Sequence, residues 1–211
     1  MSIQVYLFIF ILIFVIVSIV SFKMTYKVRK KELYEKIKMD VTKEQMMDSE
    51  KRINQFLETN NLQKGASIVK IAEILNVEQG GVEVGLQNQA CLKECAYNGK
   101  KVVTFKAGLS EQEKRFVFAH EIAHLLNGDT VPVTRPNGRN KAQVEQLADY
   151  TAAALLMPLD EVYDYLIESN YMDSSARKRI VIIHGLCKTY NVTEVIALRR
   201  VKEVYVLKQF K

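Results

Sequence analysis

At 211 residues the chain has room for one ordinary domain and an appendage, and 48% hydrophobic content is enough for a core. The net charge of +6 suggests a polyanion binder until its distribution is read: Lys23, Lys27, Arg29, Lys30 and Lys31 occur in a stretch without any acidic residue. Without them the chain is nearly neutral, which argues against direct nucleic-acid binding. Three cysteines, Cys91, Cys95 and Cys187, make no complete disulfide framework; they read as free thiols in a reducing compartment.

Ile3 to Phe22 is an uncharged run dominated by Ile, Phe, Val and Leu. As a helix of about 1.5 Å per residue it spans the hydrocarbon core, and a signal peptide's basic start and small-residue cleavage site are missing. The reading is a transmembrane helix over 1–22. Because the basic cluster follows it, the N-terminus lies outside and everything after Lys23 is cytoplasmic. Residues 23–60 read as a basic juxtamembrane segment and a solvated helical stalk, and 61–211 as the domain.

Within that domain, Ala66 to Val77 has helical apolar spacing and is broken by Gly80 and Gly81. Val82 to Leu86, Ala90 to Tyr97 and Lys101 to Lys106 predict a small antiparallel sheet. Ser110 and Glu113 have capping-box spacing, so a helix runs from Glu111 to Asn127, with Gly128 as its left-handed terminator. Asp129 to Asn140, holding Pro132, Pro136 and Gly138, reads as a loop. A second helix runs from Lys141 to Met157 and stops at Pro158, with at least two more beyond it.

The chemistry concentrates in His120-Glu121-Ile122-Ala123-His124. Residues four apart share a helix face, so both imidazoles can reach one metal ion while Glu121 flanks the open position. Phe116, Val117, Ala119, Ile122, Ala123, Leu125 and Leu126 make this a mostly buried helix, where such polar groups are costly without a partner. Zn2+ fits: three protein ligands leave a position for water, and a carboxylate can take its proton. Glu145 on the following helix is the best third ligand. Asp149, one turn on, suits a hydrogen bond from a zinc-bound imidazole, with ligation by Asp149 itself as the alternative.

Arg115-Phe116, the His120–His124 motif, Glu145-Gln146-Leu147-Ala148-Asp149 and Leu155-Leu156-Met157-Pro158 together resemble the ImmA/IrrE metallopeptidases over residues 65–160. The resemblance implies zinc binding by His120, His124 and Glu145, with Glu121 as catalytic base. It also implies an α+β, mainly helical, zincin-like domain and a protein substrate such as a helix-turn-helix transcriptional repressor. Ala123 replaces a common Gly and Thr151 a common Phe; both read as packing changes. A membrane anchor departs from the typical soluble member. The rival expectation is a zinc-containing regulator that binds a partner without cutting it. His184, in an apolar stretch, reads as a core histidine, although His184, Tyr150, Tyr163 and Tyr165 are the groups available to stabilise an oxyanion. Arg177, Lys178, Arg179, Arg199, Arg200 and Lys202 read as solvated decoration.

Overall fold

The computed structural model describes residues 41–94, 99–129 and 141–209. The apolar run over 3–22, the basic cluster behind it, Cys95 and the loop over 130–140 lie outside the described residues. Among the described residues no helix is long and apolar enough to cross a membrane.

Helix α1, Lys43–Thr59, starts at a capping box: the Thr42 side chain accepts from the Gln45 N–H and the Gln45 side chain accepts from the Thr42 N–H. It buries Met46, Ser49, Ile53 and Leu57, a stripe at helical spacing. This corrects the reading of a solvated stalk up to residue 60. The helical part of that segment packs against the domain's helices because its apolar stripe is wide enough to need cover.

Helix α2, Ile68–Ile74, buries Ile68, Ile71 and Ala72 and stops at Leu75. Asn76 takes a left-handed φ of 57°, sending the chain directly into β1, Val77–Glu83. Gly80 and Gly81 therefore lie inside a strand, where the pairing register shifts between Gln79 and Val82. A Cβ on Gly80 would sit 2.6 Å from Val102 Cγ1, so the bulge depends on its absence.

Strands β2, Ala90–Glu94, and β3, Lys101–Lys106, complete a three-stranded sheet of order β1-β3-β2. β2 pairs antiparallel to β3, but β1 pairs with β3 in parallel, so the sheet is mixed and not antiparallel throughout. After β1 the chain crosses to the far edge before turning back, which leaves β3 in the centre running the same way as β1. Val103 and Phe105 are buried, and the Phe105 ring meets Phe118 at a centroid distance of 6.3 Å.

Five helices follow among the described residues. α3, Glu111–Leu126, lies against α4, Lys141–Leu156, and against the sheet. Pro158 sits at the cap before α5, Leu159–Glu168, where its missing N–H costs nothing. α6, Ala176–Tyr190, and α7, Glu194–Lys208, pair with each other, and α7 also reaches α1, α4 and α5. The result is a mainly helical α+β domain with α3 and α4 at its centre.

Candidate metal centre

The site is built by the two ends of α3 acting together. At its start, the Ser110 hydroxyl accepts from the Glu113 N–H at 3.3 Å while Glu113 accepts from the Ser110 N–H at 2.8 Å, which fixes the helix phase. At its end, Gly128 adopts φ 77°, and the chain closes a 6→1 bond from the Asp129 N–H to the His124 carbonyl at 2.9 Å. That turn carries the Asp129 side chain back over the helix. Its Oδ2 stands 2.9 Å from His124 Nδ1, and both side chains are buried.

His120 is held in the same way from the neighbouring helix. Asp149 Oδ1 on α4 lies 2.8 Å from His120 Nδ1. A carboxylate can only accept, so each Nδ1 carries the hydrogen and each Nε2 presents a lone pair. The two Nε2 atoms lie 3.1 Å apart, and Glu145 Oε2, four residues before Asp149 on α4, lies 3.2 Å from one and 3.8 Å from the other.

With both imidazoles neutral, three acceptors thus converge, and a shared positive charge, a metal ion or a proton on one Nε2, makes that arrangement favourable. Four-coordinate zinc bound at ~2.0–2.1 Å sets neighbouring ligand atoms ~3.3 Å apart, close to the spacings found. His120, His124 and Glu145 therefore fit the metal their spacing suggested. The same demand for positive charge shows in protonation: burial pushes the His120 imidazole down, but its bonds to Asp149 and Glu145 outweigh that and raise it to about 9.

Glu121 sits half-buried beside the pair. Burial pushes its carboxyl above the usual carboxylate range; the two imidazoles pull it down and Glu145 adds to the rise. Asp149 goes the other way, because its bond to His120 and the charge of Arg199 outweigh the effect of burial and hold it low. Glu145 is the most open of the gathered side chains at 39% exposure, so the cluster faces solvent on that side.

Two residues at this site escaped the sequence reading. Asp129 lies in the loop its sequence predicts, and the signal for its role is the glycine terminator before it, which folds a carboxylate back onto a helix end. Arg199 was read as solvated, yet its Nη1 donates to Asp149 Oδ2 at 2.8 Å, and its side chain is 12% exposed. Arg200 is fully buried, bonded to Glu50, Glu203 and the Met157 carbonyl. Thr151 is more than a packing change: its hydroxyl donates to the Leu147 carbonyl at 2.9 Å and lies 2.7 Å from Ser49 Oγ on α1.

The four oxyanion candidates have settings of their own. His184 is exposed on α6, not in the core. The Tyr150 hydroxyl donates to Glu50 at 2.8 Å. Lys208 Nζ sits over the Tyr163 ring, and the Tyr165 hydroxyl lies close against Gly185.

A mainly helical α+β domain with a His-Glu-x-x-His helix and a carboxylate from the next helix has the pattern of an HExxH metal site. Residues 81–202, more than half of the chain, match the peptidase family described as the IrrE N-terminal-like domain, and the chain belongs to that family. The family is zinc-dependent in general. No curated protein matches the chain. A solved structure titled "Mycobacterium tuberculosis transcriptional regulator" shares the fold with a TM-score of 0.50 at 16% identity, covering 81% of this chain and 50% of that one. The chain thus spans about half the length of that structure. Helices α1 and α2 lie ahead of the family match.

Proposed function

We propose that this protein is a zinc metallopeptidase that cleaves a cytoplasmic regulatory protein, such as a helix-turn-helix repressor, while anchored in the membrane through residues 3–22. The observation that carries the reading is the convergence of His120, His124 and Glu145 with both Nδ1 atoms tied to carboxylates. Zinc bound there supplies a water of lowered pKa and a positive charge for the substrate carbonyl.

The chain's own groups do the rest. Asp129 and Asp149 fix the two imidazoles as Nε2 lone-pair donors. Glu121, with its carboxyl raised by burial, is the base: it takes a proton from water and returns it to the leaving amine. The repressor substrate follows from the family resemblance, and the orientation of the anchor from the basic residues after Phe22.

A second reading is a zinc-containing regulator that grips its partner without cutting. The fold likeness to a chain titled transcriptional regulator favours it. Glu121→Gln separates the two. It should keep one zinc per chain and lower cleavage by about a thousandfold, a general base's usual share. The measurement compares the proteome of cells carrying Glu or Gln at 121, looking for a fragment made only with Glu. Full cellular function in the Gln form would support the gripping reading and end the peptidase one.

A further inference from the structure

The ties holding the metal-site helices do not end at Asp149. Its two oxygens are divided: Oδ1 takes the His120 Nδ1–H and Oδ2 takes Arg199 Nη1, each at 2.8 Å. A carboxylate held at both oxygens cannot rotate away from the imidazole. The other two nitrogens of Arg199 are also used. Nε donates to Glu203 at 2.9 Å, and Nη2 donates to the Gln146 carbonyl at 3.2 Å, on the residue that follows Glu145. One planar guanidinium on α7 thus grips α4 at a side chain that orients one ligand and at the backbone beside another.

We propose that Arg199 is a positioning residue of the metal centre, acting through Asp149 on His120 and through the α4 backbone on Glu145. It touches neither ligand side chain. A guanidinium is needed because three acceptors, in fixed and different directions, must be served by one rigid group. Lysine offers a single ammonium and cannot hold all three. Arg200, the next residue, faces α1 instead, bonding Glu50 at 2.7 Å, so the α7 helix divides its two arginines between the site and the scaffold. The inference rests on the metallopeptidase reading only in taking the three convergent groups as zinc ligands.

The test measures Zn2+ affinity of the full-length chain in mild detergent, by competition with a chromophoric chelator, and the d–d spectrum after Co2+ loading. Arg199→Gln should weaken Zn2+ by about tenfold and alter the cobalt bands, with Arg199→Lys intermediate. Both effects should shrink when Arg199→Gln is made on an Asp149→Asn background, which removes the path through Asp149 and leaves only the hold on the Gln146 carbonyl. If the Gln variant does not fold, Arg199→Lys runs the same cycle. Affinity within about twofold of the parent, or an equal loss with Asn at 149, overturns the proposal. A parent chain that takes up no Zn2+ overturns the metallopeptidase reading and this inference with it; one that binds a single ion while the Gln variant is silent overturns only the inference.

Discussion

Two polar clusters lie on either side of α4, and they are balanced differently. On the α1 and α7 side, every nitrogen of the buried Arg200 guanidinium meets an acceptor: Glu50, Glu203 and the Met157 carbonyl. The Tyr150 hydroxyl fills a second position on Glu50, and the Arg200 guanidinium lies 5.5 Å from the Tyr150 ring centre. On the α3 side, by contrast, His120, His124 and Glu145 point lone pairs at one another when the imidazoles are neutral. A network whose donors and acceptors match is complete in itself, whereas one with an excess of acceptors is built for a guest. The difference in bookkeeping separates scaffold from site without reference to any motif.

The largest effect should come from breaking the balanced side. Arg200→Met leaves Glu50 without its cation and Glu203 with Arg199 alone, and removing one partner of a buried pair costs about 3–5 kcal/mol. For a domain of this size that lowers the melting temperature by roughly 10 °C. Thermal melts followed by circular dichroism measure it, and Zn2+ affinity at a temperature where the variant is folded should stay close to that of the parent. A variant that melted normally but lost its metal would erase the distinction between the clusters.

Asp129→Asn probes the other side at smaller cost. Asn can still accept from the His124 Nδ1–H but withdraws the charge that makes the imidazole a strong ligand. Zn2+ affinity should fall about 10–100-fold, with little change in the melting temperature of the metal-free chain. The pair of results would sharpen the comparison: one substitution costs stability and spares metal, the other does the reverse.

What could be read in advance divides along physical lines. Local signals sufficed where the determinant lies within one turn of helix. The Ser110–Glu113 box starts α3, Gly128 ends it, and the four-residue spacing puts His120 and His124 on one face. β3 was legible from Val102, Val103 and Phe105. The parallel pairing of β1 was not, because nothing in a strand's composition says which edge its partner will occupy. Arg200 was misread for a related reason: its partner Glu50 is 150 residues away, and an arginine looks solvated until that partner is found. There was one usable clue. Arg199, Arg200, Lys202 and Glu203 interrupt an otherwise apolar stretch of α7, and Glu203 stands at the i+4 and i+3 ion-pair spacings from the two arginines. The burial of α1 was hidden by Ser49, a polar residue in its buried stripe, whose partner Thr151 lies on α4.

The smallest effect belongs to a third kind of cluster, neither buried nor in need of a guest. Asp160 at the start of α5 bonds Lys208 from the end of α7 and Lys64 from the loop after α1, each at 2.8 Å. Those two ammonium groups, Lys208 first, pull its carboxyl from the ordinary 3.8 down to about 2. A carboxylate depressed in the folded state contributes stability that is complete above its unfolded pKa and is lost as the pH falls through the folded one. The window here runs from about pH 4 to pH 2. Because the Asp160 side chain is 49% exposed, water and salt screen most of the attraction, and the contribution is about 1 kcal/mol at most. Urea melts of Asp160→Asn against the parent should show that gap at pH 6 in low salt. It should narrow in 1 M salt, where the screening length is about 3 Å, and close by pH 2. A gap that widened on acidification would mean that Asp160 acts through its protonated form, as a hydrogen-bond donor, and that the lysines are bystanders.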